Sequence, residues 1–175
     1  MNIIGLTGTN GSGKGAAAEF FISKGYAFYS LSDVIRSILE KDGLEPTRDN
    51  LIQKGNELRS LGGADFLAKK VMEKVEGNAV IDSIRNPEEI RFLKNHKNFV
   101  LLAIDADVKL RYERVKKRGR NESAASLQEF IKKEDEEKTS NPKQQQLHLC
   151  LEMADFFVLN EGSLAELNTK LEAFL

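Results

Sequence analysis

A chain of 175 residues, 41% hydrophobic and 30% charged, has the size and composition of one globular domain rather than of a disordered, fibrous or membrane-spanning chain. Its 26 basic and 27 acidic residues leave a net charge of −1, so no overall positive field draws it to nucleic acid or an anionic membrane, and any anion site must be local. The single cysteine, Cys150, excludes an internal disulfide, and with only His96 and His148 beside it there is no zinc-ligand spacing, so none of the three is assigned chemistry.

The chain opens without a basic leader, and its first apolar run is too short for a signal peptide or a membrane span, which with the lone thiol leads us to expect a cytoplasmic protein. Residues 2–7 (NIIGLT) read as a buried strand, followed by a glycine-rich turn and an Ala/Phe-rich helix over 14–24. Residues 26–30 (YAFYS) read as a second strand, after which Ser32 caps a helix from Asp33 toward Lys41. From about 31 to 76 only helical periodicity appears, broken by Gly43, Pro46 and Gly62-Gly63, which predicts about three helices inserted into a β/α series.

Strands resume at 78–83 (NAVIDS), followed by a helix start at Asn86-Pro87-Glu88-Glu89, and 98–105 (NFVLLAID) is a further buried strand. A helix follows over 107–117, then a polar glycine-containing stretch over about 118–126 that is a lid candidate, with Arg118 and Arg120 at its start. Ser126 and Glu129 form a capping box for the next helix, whose charged run 132–138 reads as a solvated face with Glu134 paired to Lys138. A helix from Asn141 to Met153, a fifth strand over 155–160 (DFFVLN) and a helix capped by Ser163 and Glu166 complete the chain, without internal repeats. Strands alternating with helices, without tight hairpins, predict an α/β fold: a five-stranded parallel sheet between two helical layers, all in one domain over 1–175.

The turn Gly8-Thr9-Asn10-Gly11-Ser12-Gly13-Lys14 matches G-x-x-x-x-G-K between a strand and a helix, the context in which small residues let successive backbone N–H groups wrap a phosphate. The helix contributes its positive dipole end, and Lys14 places an ammonium where charge accumulates as a terminal phosphoryl group departs. ATP is the expected donor. The motif's closing Ser or Thr is missing, since Gly15 and Ala16 follow Lys14, so Mg²⁺ is expected to be held mainly by phosphates and waters. Asp82 ends a buried strand before a polar turn, the position from which open α/β sheets present ligand-binding groups, and would orient metal-bound water. A turn or capping aspartate is the alternative.

The loop through Gly15 and Ala16 resembles that of adenylate kinases and related nucleoside monophosphate kinases, which usually carry Thr where this chain has Ala16. The run from Tyr29 to Arg36, containing Ser32 and Asp33, resembles their S-T-G-D-x-x-R segment, and the run from Val80 to Arg85 is similar to their D-G-F-P-R segment, one residue shorter. Arg114-Val115-Lys116-Lys117-Arg118 resembles their R-x-x-x-R entry to the lid. The resemblance implies a P-loop NTPase fold whose helical insertion binds a monophosphate. It implies that Arg36 grips the acceptor phosphate. Because phosphoryl transfer needs positive charge around two anions, Lys14, Arg114 and Arg118 are assigned to the donor and the transferring phosphate, Ser32, Arg36, Arg59 and Arg85 to a phosphorylated acceptor, and Asp33 and Asp82 to the metal through water.

Arg59 has a second reading as a solvated arginine paired with Glu57 or Asp65, and Asp33 one as a residue that stabilises the helix dipole. The opening from Ile4 to Lys14 and the end from Ala154 to Ser163 also resemble dephospho-coenzyme A kinases, in which Asp33 would be the candidate base. A non-catalytic nucleotide-binding regulator is the third reading, motivated by the missing hydroxyls at positions 15 and 16.

Overall fold

Alternate residues of the first apolar run face opposite sides of a sheet, as the period of a strand requires. Ile3 of β1 (Ile3–Thr7) packs with Ile81, Leu101, Leu39 and Leu67, whereas Ile4 and Leu6 pack with Val80, Leu102, Phe21 and Leu167 on the other face. Fully burying each such side chain is worth about 1.5–3 kcal/mol. The computed structural model describes residues 1–118, 125–136 and 138–175.

The other strands are β2 (Ala27–Ser30), β3 (Ala79–Asp82), β4 (Phe99–Asp105) and β5 (Phe156–Leu159), and all pair in parallel in the order β2-β3-β1-β4-β5. β1 is central, pairing Ile3 with Ala79 on one side and with Phe99 on the other. Strand order reverses there, so the crevice in which parallel sheets bind ligands opens at the C-terminal end of β1, where the glycine-rich turn begins.

That turn leads into α1 (Lys14–Ser23), and the expected helical insertion is α2 (Leu31–Lys41), α3 (Arg48–Gly62) and α4 (Phe66–Met72). Thr47 caps α3 by accepting the N–H of Asn50 at 3.2 Å. After β3 comes α5 (Pro87–Lys94), whose predicted capping box is present. Then follow α6 (Val108–Arg118), α7 (Leu127–Glu136), α8 (Leu147–Glu152) and α9 (Leu164–Leu171), the last capped by Ser163 as expected.

Three local expectations are corrected. α2 begins at Leu31 with Ser30 as its extended N-cap, because the Ser32 hydroxyl is taken by Ser30 and Arg36 instead of capping. No helix runs from Asn141. The carbonyls of Pro142 and Gln144, which a helix would give to later N–H groups, accept the Asn86 side-chain amide at 2.8 Å each, and the N–H of Gln146 goes to the Arg85 carbonyl at 2.8 Å. Glu134 accepts from Arg111, whose side chain is only 7% exposed, while Lys138 pairs with Asp135. In the lid expected over 118–126, residues 119–124, Arg120 among them, lie outside the described residues.

Candidate active site

The glycine-rich loop is held from behind. Arg111 donates from Nη1 to the Asn10 carbonyl at 3.2 Å, Arg114 from Nη1 to the Gly11 and Ser12 carbonyls at 3.5 and 3.4 Å, and the Asn160 amide to the Ser12 carbonyl at 2.8 Å. A trans peptide sets its C=O and N–H in opposite directions, so pulling the Asn10 and Ser12 carbonyls toward these donors turns the N–H groups of Gly11 and Gly13 away from them. Both glycines line the cavity described below, so the amide nest expected of the motif has a cause in the residues behind it.

Gly8 and Gly13 of the loop admit no side chain. At Gly8, φ is +151° and a Cβ would lie 2.1 Å from the Ile104 carbonyl oxygen; at Gly13, φ is +100° and a Cβ would lie 2.1 Å from Asn160 Nδ2. Gly13 is also the N-cap of α1, with no side-chain cap, which leaves first-turn N–H groups available to an anion. Lys14 donates from Nζ to the Gly8 and Thr9 carbonyls, both at 2.8 Å. Burial pushes its ammonium down to about 8, against the opposing pull of Asp82, with Arg85 adding to the depression.

A cavity of about 510 Å³ lies over the loop, lined on the donor side by Gly8, Asn10, Gly11, Gly13, Lys14 and Gly15, with Arg118 beside them. The β3–α5 connection contributes Asp82, Ser83 and Arg85; the insertion contributes Ser32, Arg36, Arg48 and Arg59 together with the apolar Leu31, Ile35 and Leu67. The structure thus brings Lys14, Ser32, Arg36, Arg59, Asp82, Arg85 and Arg118 into one cavity. It does not bring in all of the expected residues. Thr9 turns its hydroxyl to Asp105, Ser12 is fully buried, Ala16 lies within α1, and Arg114 sits behind the loop, where its Nη2 also donates to the Asn160 carbonyl at 2.8 Å. The Asp33 side chain is 56% exposed, paired with Arg36 at 2.6 Å, and does not line the cavity.

Arg59 fits neither of its alternatives fully. It pairs with Glu89 rather than with Glu57 or Asp65, both groups being almost completely buried, and its Nη1, also buried, has no hydrogen-bond partner among the described residues. Asp82 Oδ1 is likewise buried without a partner there. An unpaired carboxylate oxygen beside a phosphate loop, with hydroxyls near it, is an all-oxygen donor set that fits a hydrated Mg²⁺.

Sequence reasoning missed Asp105, Arg111, Asn160, Glu89, Arg48 and Gln145. Asp105 and Asn160 carried a usable signal: like Asp82, each is a polar residue at or just past the end of an apolar strand at the crevice. Nothing local marked the others. Gln145 accepts from Arg85 Nη1 at 3.2 Å and lines the cavity, from a segment that the sequence assigned to a helix face.

A family model described as an AAA domain matches residues 4–141. A UPF0200 protein from Sulfurisphaera tokodaii is 32% identical over 177 residues, spanning 100% of this chain and 96% of the relative. Among solved structures, shikimate kinase from Aquifex aeolicus superposes with a TM-score of 0.61 at 19% identity, covering 98% of this chain and 94% of the other. A gluconokinase from Sinorhizobium meliloti gives 0.57 at 14%, covering 99% and 90%. These likenesses show a P-loop kinase-like fold.

Proposed function

Because the chain belongs to the UPF0200 family and carries an AAA domain, we propose that it is an ATP-dependent small-molecule kinase whose acceptor is a nucleoside or deoxynucleoside monophosphate. One observation carries this reading: a single cavity joins the phosphate loop and Lys14 to Arg36, Arg59 and Arg85, with Asp82 in the same wall as Arg85.

Phosphoryl transfer needs two anions held in line while positive charge faces the migrating group. Lys14, freed from the Gly8 and Thr9 carbonyls, neutralises the outer phosphates of the donor, and Arg118 adds a guanidinium on the same side. Arg36 and Arg85 grip the acceptor phosphate, and the open Nη1 of Arg59 gives it a further hydrogen bond. An acceptor phosphate oxygen attacks the terminal phosphorus, the bond to the bridging oxygen breaks, and ADP leaves. That oxygen is already ionised and needs no base, so the exterior position of Asp33 is no obstacle. Asp82 would hold a Mg²⁺ ion through water, and the ion would neutralise charge on the donor phosphates.

An ADP-coupled assay over all common ribo- and deoxyribonucleoside monophosphates, with dephospho-coenzyme A, shikimate and gluconate added, tests the reading. Turnover with a monophosphate supports it. Turnover confined to an unphosphorylated alcohol would move the acceptor class and require a base, for which Asp82 is the cavity's carboxylate. ATP binding with no turnover on any acceptor would instead favour the regulator.

A further inference from the structure

Lys14 is followed by Gly15 and Ala16, so no hydroxyl follows the loop's lysine to meet the nucleotide's metal ion. Crowding does not explain the loss: a Cβ at Gly15 would meet nothing within 4 Å. Across the cavity the ends of β2 and β3 supply hydroxyls instead. Ser30 Oγ lies 2.9 Å from Ser32 Oγ and 3.2 Å from Ser83 Oγ, and Ser83 Oγ lies 3.4 Å from Ser32 Oγ. Ser32, Ser83, Asp82 and Lys14 all line the cavity, and Asp82 Oδ1 is buried there without a partner among the described residues.

Ser83 stands at φ +67°, in the left-handed region where glycine is the default residue. Retaining a side chain in that conformation points to a task for its hydroxyl. The cluster also has capacity to spare. Three hydroxyls carry three donors and six acceptor lone pairs; with all three donors spent inside the cluster and Arg36 Nη1 donating to Ser32 at 2.8 Å, four lone pairs are used and two remain. Oxygen lone pairs beside an unpartnered carboxylate oxygen suit the outward-pointing hydrogens of a hydrated dication, and Mg²⁺ gives up its waters reluctantly.

We propose that Ser83 and Ser32, together with Asp82, position the water shell of the nucleotide-bound Mg²⁺, taking over from the β2 and β3 ends the task that a hydroxyl after Lys14 would perform. The proposal rests on the ATP-binding reading above. Ser83 and Ser32 are positioning residues in it, since they act on the metal's waters and not on the migrating group.

The test is calorimetric. ATP affinity is measured with Mg²⁺ and in EDTA, for the parent protein, S83G, S32A and S83G/G15S, with the electron paramagnetic resonance linewidth of bound Mn²⁺–ATP as a second readout. S83G removes the hydroxyl while suiting the backbone, so strain is not confounded with chemistry. The expected result is a Mg²⁺-dependent gain in ATP affinity that falls roughly three- to tenfold in S83G and S32A, as for one or two lost water-mediated hydrogen bonds, while affinity in EDTA stays within about twofold. G15S, which places a hydroxyl in open space beside Lys14, should restore most of the gain in the S83G background and return the Mn²⁺ linewidth toward the parent's. An undiminished Mg²⁺ gain in S83G, or an equal loss with and without metal, overturns the proposal. No ATP binding by the parent protein under either condition overturns the nucleotide reading itself, which separates the two failures.

Discussion

Nε and Nη2 of Arg59 both donate to one oxygen of Glu89, at 2.9 and 2.8 Å, while the other oxygen of Glu89 accepts the N–H groups of Arg85 and Asn86 at 2.9 and 3.0 Å. One buried carboxylate therefore ties α3 of the insertion to the connection that carries Asp82 and Arg85. Gly55, one turn before Arg59, leaves the space this needs: a Cβ there would lie 3.0 Å from Ile35 Cδ1 and 3.3 Å from Arg59 Nη1.

Removing one partner of this pair leaves the other as a buried, unpaired charge. Glu89→Gln should lower unfolding stability by about 3–5 kcal/mol, measured by urea titration. The double variant R59M/E89Q, with no stranded charge, should recover a good part of that loss and yet raise the acceptor KM at least about tenfold, as expected for a lost charge-assisted hydrogen bond. Full recovery of stability with an unchanged acceptor KM would confine Arg59 to a structural role.

The depressed ammonium of Lys14 gives a pH signature. Its value of about 8 in the fold lies below the ordinary 10.5, so between those pH values the unfolded chain binds more protons and stability rises with pH. The cost of burying the charge, at most roughly 3 kcal/mol, is fully present below pH 8 and relieved as pH climbs through that window toward 10.5. Stability of the parent minus that of K14M should therefore rise from pH 7.5 to 10, and a flat difference would refute the shift. ATP needs the charged form, so calorimetry at pH 8.5 in two buffers of different ionisation enthalpy should show proton uptake on binding, absent in K14M.

Arg114 reaches the carbonyls of Gly11, Ser12 and Asn160 from behind the loop. R114M should weaken ATP binding by about five- to twentyfold by loosening the loop, and N160A should do so comparably, since both hold the Ser12 carbonyl. Because they share that partner, the losses should be less than additive in the double variant, as measured by a double-mutant cycle. Strict additivity would indicate that the two side chains act separately.

What could be read from the sequence, and what could not, divides by contact distance along the chain. The strand–loop–helix over residues 3–23 was legible because hydrophobic pattern, glycine spacing and Lys14 are contiguous, and the cap at Asn86 because its partner is three residues away. The brace behind the loop was not, since Arg111 and Arg114 meet Asn10 and Gly11 across about a hundred residues and nothing local in an arginine-rich helix marks which side chains turn inward. Arg59 was half legible. Its presence at the cavity followed from the positive charge that phosphoryl transfer needs, but its partner, Glu89, was visible only as a capping glutamate, and it fills that role too.

The segment before α8 shows the same limit. Residues 141–146 have helical composition, but Asn86, 56 residues away from Pro142, captures the carbonyls that a helix would need. The captured segment carries Gln145 to Arg85, so the cap of α5 also builds a wall of the cavity. Asn86→Ala should therefore do more than remove a cap. Loss of the cap costs about 0.5–2 kcal/mol, and releasing two carbonyls lets residues 141–146 relax toward helix, withdrawing Gln145 from Arg85. The expected result is a raised acceptor KM, by roughly tenfold, with ATP affinity within twofold of the parent's because the loop and Lys14 are untouched. Asn86→Asp keeps the cap but lacks the amide hydrogens, so it should retain α5 stability while reproducing the KM defect. Equal loss of ATP and acceptor binding in N86D would show that the clamp serves the fold as a whole and not the acceptor side.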